Sequence, residues 1–482
     1  MHTLTGMIME KKFKLDSLLR VHESVFRDYY ISLQKVAQDL TVHPRGFGGE
    51  MPQPISMLRR KTEADGIWYG VPVTYGLKTF LNAVGANRIE FFENHLQDDR
   101  VYGEHYKFSH GIIPRDESQR KFFNGCCDGL TYNVMNLVCA PTGSGKTVAA
   151  LYVTAFLQRT TLVVVPNSRI ALQWVVAAKK FLNLKEDQVG YIGGGKKDWE
   201  GKPFTVAIIH NLIDGNKLPA EFYTRFGFVV YDEVHNIGAR EFCKSMRHFP
   251  AMYRLGMTAT PTRKDGCENI FLYQFGGVAV RATGDALKAK VRVFDYHWGH
   301  NDLDSKPIFV KRRIVTRAKM RNAWIAKVVK SMFDKGRHVL VLSEEIAHLQ
   351  TLIGLCAGIG IPDEHLGLYT RTYYDADGKP KKVKDKDLDW IGVNCRIIFS
   401  VYQLAKEGLD IPRLDAGLDA YPRTEGIQAI GRIRRPIEGK KIPLWVTIRD
   451  VGVGSLENSC RMRLLDYKKS NCKIIESGKC LW

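Results

Sequence analysis

The sequence predicts an α/β protein with two parallel-sheet domains in tandem and a small α+β accessory domain before them. From about residue 112, short apolar runs such as Thr161–Val165 and Phe228–Tyr231 alternate with amphipathic stretches such as residues 170–182. Strands this apolar are buried on both faces, and their alternation with helices implies a parallel sheet covered on each side. The same alternation starts again after about residue 320. The expected boundaries are 1–110 for the accessory domain, 111–285 and 286–450 for the two α/β domains, and 451–482 for a tail.

Residues 1–110 carry no nameable motif. Residues 15–40 space Leu18, Leu19, Val25, Tyr29, Leu33, Val36 and Leu40 as a helix would. A Gly/Pro-rich break follows at 46–54, then a strand-like alternation over 66–73 and a helical pattern over 75–84. The aromatics here suit base stacking in principle, but core packing is the commoner use.

The first α/β domain opens on Ala140-Pro141-Thr142-Gly143-Ser144-Gly145-Lys146-Thr147, between an apolar run and a helical one. Gly143 and Gly145 let backbone amides curl round an anion, and the helix N-terminus adds its dipole. Lys146 can reach terminal phosphates and the Thr147 hydroxyl can ligate Mg²⁺. Ala140 stands where the strict phosphate-loop pattern has Gly. Asp232-Glu233-Val234-His235 follows the Phe228–Tyr231 strand, which suits Asp232 for the metal and Glu233 for the attacking water. Thr258-Ala259-Thr260-Pro261 ends a third strand, where Thr258 and Thr260 can bond the acidic pair.

The basic run Lys311-Arg312-Arg313, Arg317, Lys319 and Arg321 reads equally as a solvated face or a phosphate-tracking one. Residues 322–333, 339–342 and 346–356 then read as helix, strand and helix. Residues 375–389 mix Lys and Asp with Gly378 and Pro380, as an exposed loop would. A strand over 396–399 leads into 400–412, and a helix over 428–435 projects Arg432 and Arg435 from one face. Two guanidinium forks there match a γ-phosphate, and an exposed basic helix explains them equally.

With 482 residues the chain suits about three domains, and no apolar stretch reaches the roughly 18 residues of a membrane span. The first 15 residues are too charged for a signal peptide, so a cytoplasmic protein is expected. Lys and Arg outnumber Asp and Glu by 71 to 51, giving +20, which favours polyanion partners. Residues 1–110 hold 14 basic and 13 acidic side chains, so the excess belongs to the later domains. The ten cysteines contain no Cys-x-x-Cys pair, as expected of reduced thiols rather than a zinc site.

In this order the motifs resemble those of superfamily 2 helicases of the DEAD/DEAH type, across about residues 112–450. Ala140 to Thr147 resembles motif I, and Pro166-Asn167-Ser168 with Gln173 motif Ia. His210-Asn211-Leu212 resembles Ib, Asp232 to His235 II, and Thr258 to Pro261 III. Ser400 with Gly408-Leu409-Asp410-Ile411-Pro412 resembles V, and Gln428 to Arg435 VI. Within the superfamily the chain looks most like phage UvsW-type branch-migration helicases and the related XPB and restriction-subunit motors, and Ile192-Gly193-Gly194-Gly195 belongs to that likeness.

The resemblance implies two RecA-like domains with ATP in the cleft between them. It implies phosphate and Mg²⁺ on Lys146 and Thr147, the metal on Asp232, and the water on Glu233. Arg432 and Arg435 become arginine fingers, Gln428 lies near the γ-phosphate, and Gly408 and Asp410 couple nucleotide to the domain interface. Asn167, Ser168, Gly194, His210 and Ser400 contact the nucleic-acid backbone. Gln119 stands where the family's adenine-reading Gln stands, with Arg115 shifted by one and Ser118 at the aromatic position. Ala429 replaces an Arg common in motif VI.

The implied activity is an ATP-driven DNA helicase or translocase on branched or forked DNA, acting as a monomer with replication or recombination proteins, in the host cytoplasm if phage-encoded. An RNA helicase, the motor subunit of a restriction nuclease and an ATP-gated clamp on branched DNA remain as alternatives. Residues 1–110 show no Pro-Asp…Glu-x-Lys cluster, so a restriction motor would leave cleavage to a partner.

Overall fold

The apolar runs become the central strands of two large sheets. The computed structural model describes residues 11–479 apart from 46–51, 134, 142–143, 214–217, 236, 238, 264, 283–286, 300–302, 376, 408, 410, 425, 427–429, 435–436 and 438. The chain divides into two units, residues 1–284 and 285–482.

The main sheet of the first unit runs Lys196–Asp198, Val189–Gly193, Phe204–Ile208, Thr161–Val165, Phe228–Tyr231, Tyr253–Thr258, Met135–Cys139, Val278–Arg281. All neighbours are parallel except the Val189–Gly193/Lys196–Asp198 hairpin. Alternation along each strand supplies two cores. Leu137, Leu162 and Val229 pack in one with accessory residues Phe13, Leu15 and Phe80. Val138, Val163 and Val230 pack in the other with Phe123, Leu151 and Trp174.

The accessory segment therefore covers one face of the sheet. Its own five strands run Arg59–Glu63, Gly66–Val71, Leu19–His22, Phe13–Leu15, Leu96–Asp98. The buried guanidinium of Arg254 fastens it, donating to the carbonyls of Asp16, Ser17 (2.8 Å) and Ala251 (3.2 Å). Gln274 adds a bond to Ser17 O at 3.0 Å. Burial lowers the Arg254 pKa to about 10, which leaves it charged at neutral pH.

Residues 15–40 are not one helix. Phe13–Leu15 and Leu19–His22 are strands, followed by helices Glu23–Asp28 and Leu33–Asp39. Leu19, Val21 and Val25 satisfy both periodicities, and a left-handed Tyr30 (φ 52°) with a capping Ser32 divides the helical part.

The sheet of the second unit is wholly parallel: Leu366–Tyr369, Ile397–Val401, Val339–Ser343, Ala416–Asp419, Leu444–Val451, Lys290–His297, Lys473–Lys479. The expected tail is part of it, because the Gly454–Lys469 helix buries Leu456, Arg463 and Tyr467 and delivers Lys473–Lys479 to the edge. The loop expected over 375–389 contains the strand Pro380–Lys382 and the start of the helix Asp385–Asn394, which Leu388 anchors. Of the helix expected over 428–435, Ile430 and Gly431 are helical and Arg432 already lies in a turn. Arg434 exchanges bonds with the Leu287 backbone at 3.0 and 2.9 Å, which draws the chain off the helical path. Among the described residues no helix is long and apolar enough to cross a membrane.

Arg254→Met keeps the apolar stem but strands the carbonyls of Asp16 and Ala251 and leaves Ser17 O to Gln274 alone. Thermal unfolding should show a loss of about 3 kcal/mol, several degrees in Tm, and an unchanged Tm would overturn the fastening role.

Candidate nucleotide and nucleic-acid site

Parallel strands put all their following loops on one edge, where ligands of open α/β sheets bind. Along the carboxyl edge of the first unit, the sheet order places Gly194, His210, Asn167 and Ser168, Asp232 and Glu233, Thr258, and then the phosphate loop. The phosphate loop and the acidic pair are one strand apart, with Tyr253–Thr258 between them.

Thr142 and Gly143 lie outside the described residues. Gly145 has φ 94°, and a Cβ there would stand 2.6 Å from Gln119 Nε2, so the loop has no room for a side chain at this point. Gln119 braces the loop, donating from Nε2 to Ser144 O at 3.1 Å and accepting from Arg115 N at 2.9 Å. Ser144 bonds back to Pro141 O at 2.7 Å. Lys146 begins the Lys146–Leu157 helix, and its buried ammonium lies 3.2 Å from both Ala140 O and Glu233 Oε1. Thr147 follows it, half-buried.

Asp232 is buried with both oxygens engaged: Trp174 Nε1 donates at 2.8 Å and the Glu233 amide at 2.9 Å. Burial first, and then the adjacent Glu233 charge, raise its pKa to about 6. Glu233 adopts a left-handed backbone, φ 49°, as the chain leaves the strand. Its carboxylate meets Lys146 on one side and His235 Nδ1 on the other, at 3.4 Å.

Thr258 does not bond the acidic pair as expected. Its hydroxyl contacts His235 Nδ1 at 2.8 Å and donates to Thr260 O at 2.6 Å, while the Thr260 amide donates to it at 3.1 Å. His235 stands between the Glu233 carboxylate and that hydroxyl. Three residues outside the expected set thus belong to the site. Trp174 orients Asp232, His235 joins Glu233 to Thr258, and Arg263 pins the chain after His235 by donating to His235 O and Ile237 O at 3.2 and 2.5 Å. His235 was legible as the fourth residue of its motif, whereas the Trp174 contact needs a helix laid beside the strand.

Hard oxygen donors such as Thr147 and Asp232 suit Mg²⁺. Among the described residues no three His, Cys, Asp or Glu side chains gather to hold a metal alone.

Of the expected strand contacts, Asn167 caps the Ser168–Phe181 helix by accepting from Ile170 N at 3.0 Å, which leaves Ser168 exposed at its first turn. His210 is exposed, and Gly194 (φ 57°) with Gly195 (φ 84°) forms the exposed tip of the hairpin. Ser400 is different: it is fully buried, and its hydroxyl donates to Tyr369 O at 2.8 Å, so that hydroxyl is not offered to a strand. Arg432 donates to Leu409 O at 3.1 Å. Gly408, Asp410, Gln428 and Arg435 lie outside the described residues.

Residues 114–263 match the family model described as type III restriction enzyme, res subunit. The chain is 25% identical over 461 residues to a protein of Acanthamoeba polyphaga mimivirus provisionally named ATP-dependent RNA helicase L396, covering 92% of this chain and 83% of that one. It is 30% identical over 154 residues to the DNA 3'-5' translocase XPB2 of Sulfurisphaera tokodaii, covering 32% of this chain and 33% of the relative. In fold it is similar to a fragment assigned as the HsdR subunit of a type I restriction enzyme from Vibrio vulnificus. That match has a TM-score of 0.54 at 15% identity and covers 84% of this chain and 74% of the fragment.

Glu233→Gln should retain nucleotide binding and lose hydrolysis by at least 10²-fold, read by phosphate release beside a fluorescent-nucleotide titration; unchanged turnover would remove Glu233 as the base. Trp174→Phe keeps the ring but frees one Asp232 oxygen. It should weaken the dependence of turnover on Mg²⁺ by roughly 10–100-fold, and an identical Mg²⁺ titration would show that the indole only packs.

Proposed function

We propose that this chain, a superfamily 2 helicase-type, nucleic-acid-dependent ATPase related to restriction-subunit motors, is a DNA helicase or translocase that unwinds or branch-migrates forked or junction DNA. The observation that carries the reading is the shared edge of the first unit. Lys146, Asp232 and Glu233 occupy one half of it, and exposed Gly194, His210 and Ser168 the other, with Asn167 fixing the helix between. A nucleotide and a nucleic-acid backbone can then act on loops of one rigid sheet.

In this reading Lys146 and the amides after Gly143 hold the terminal phosphates of ATP. Glu233 takes a proton from the attacking water, and the Lys146 ammonium beside it orients that carboxylate. Thr147 and Asp232 hold Mg²⁺, which when bound neutralises charge on the phosphate oxygens. Gln119 keeps the loop open around its anion. From the second unit, Arg432 and Arg435 stabilise charge on the γ-phosphate, Gln428 stands near it, and Gly408 and Asp410 couple the state of the nucleotide to movement. Contacts to phosphates alone position a strand without reading its sequence, as translocation requires.

Working as a monomer alongside replication or recombination proteins, in the host cytoplasm if phage-encoded, belongs to the same proposal. An RNA helicase is the second reading, favoured by the likeness to L396 over 92% of this chain.

ATPase and strand-displacement assays on forked DNA, a four-way junction and an RNA duplex, with Lys146→Ala as control, separate the two. Forked or junction DNA should stimulate turnover and be remodelled, and Lys146→Ala should do neither. Stimulation by RNA alone would overturn the DNA reading.

A further inference from the structure

The basic run over residues 311–321 splits into two kinds of cation once folded. Lys311 is buried, with its ammonium 3.1 Å from Asp304 Oδ1 and from Ser455 Oγ. Arg321 is buried and bonds Asp450 at 2.9 and 3.2 Å and Ala420 O at 2.7 Å. Both are structural. Arg313 and Arg317 are exposed on the Ile308–Arg317 helix, flanked by exposed Lys306 and Lys319. Among the described residues none of these four side chains is paired with a carboxylate.

Phe309 lies in the same stripe. Positions 309, 313 and 317 follow at i, i+4 and i+8, opposite the face that buries Lys311 and Val315. The ring of Phe309 is 70% exposed. From Phe309 to Arg317 the stripe is about 12 Å long.

The helix also lies over the ligand edge of its own sheet. Thr316 donates to Glu345 at 3.1 Å, two residues past the Val339–Ser343 strand, and Lys311 reaches Ser455, four past Leu444–Val451. Arg312 sits 5.8 Å over the ring of Tyr421, two past Ala416–Asp419. At that edge the expected strand contact, Ser400, is buried.

We propose that the Ile308–Arg317 helix is the nucleic-acid contact of the second unit, with Arg313 and Arg317 on phosphates and Phe309 stacked on a base of the strand. The unpaired charge selects a polyanion, and the bare ring among the cations selects one that carries flat apolar faces. An acidic protein segment would satisfy the charge without using the ring. The inference rests on the helicase reading above and names where the second unit grips the strand.

The test uses the full chain, a labelled oligothymidylate and its RNA counterpart, with binding measured against salt and ATPase measured with and without strand. The double variant Arg313→Gln/Arg317→Gln should lower the slope of log K against log salt by about 1.4 and leave unstimulated ATPase unchanged. Phe309→Ala should weaken binding by roughly 5–100-fold with the slope unchanged, and Phe309→Trp should restore it. These side chains are exposed, so an unchanged Tm confirms the fold of each variant. A wild-type protein that strands stimulate, with variants of equal affinity and slope, would overturn this contact alone. A wild-type protein that neither strand stimulates would overturn the helicase reading and the contact with it.

Discussion

The ammonium of Lys146 and the carboxylate of Glu233 meet at 3.2 Å although their strands are not neighbours. The strand Tyr253–Thr258 lies between and holds both loops in register. Ala140 N bonds Thr258 O at 2.9 Å on one side, and Val234 N bonds Met257 O at 3.0 Å on the other. A backbone this constrained lets two flexible side chains meet with little further loss of entropy. It also makes Thr258, through His235, a contact of the same ion pair. Displacing any of the three strands would change that distance.

That central strand is fixed at its other end as well. Arg254, four residues before Thr258, is the residue that the accessory segment grips. The carbonyls of Asp16 and Ser17 are carried into the joint between two sheets, where each would lose its hydrogen bonds to water. One guanidinium satisfies both and bonds Ala251 as well, which an apolar residue of equal volume could not do. The accessory sheet thus acts as a brace for the site strand, in addition to covering an apolar face.

The strands and their loops were legible because their signals are local. An all-apolar run such as Leu162–Val165 has one stable home, and a Gly-Ser-Gly-Lys-Thr after such a run has few alternatives. Residues 15–40 misled because Leu19, Val21 and Val25 fit periods of two and of 3.6, and only pairing with Phe13–Leu15 and Gly66–Val71 decides between them. The Thr258 partner and the Trp174 bond depend on which elements become neighbours, which spacing along the chain does not contain. Ser400 illustrates the same limit, since a serine at a strand end reads as a contact until Tyr369 O takes its hydroxyl.

The second unit shows why a segment that reads as a tail need not be one. Asp419 is buried, and it accepts from Tyr402 at 2.8 Å, Trp445 at 2.8 Å and Tyr467 at 2.6 Å, with Arg463 Nε at 3.3 Å. Two of those partners come from the Gly454–Lys469 helix, and Tyr402 opens the Tyr402–Glu407 helix directly after the strand of Ser400. Leaving a carboxylate buried without them would cost several kcal/mol, so the helix and the strand must fold as one body. The helix after Ser400 is thus anchored from beneath by Tyr402, and the Ser400 hydroxyl has a protein partner in Tyr369 O. Long cationic side chains are exposed at this edge on the Ile308–Arg317 helix, whose own base is fixed by Lys311 and Val315. A packed floor with unpaired charges above it is the arrangement that the strand contact proposed for this helix requires.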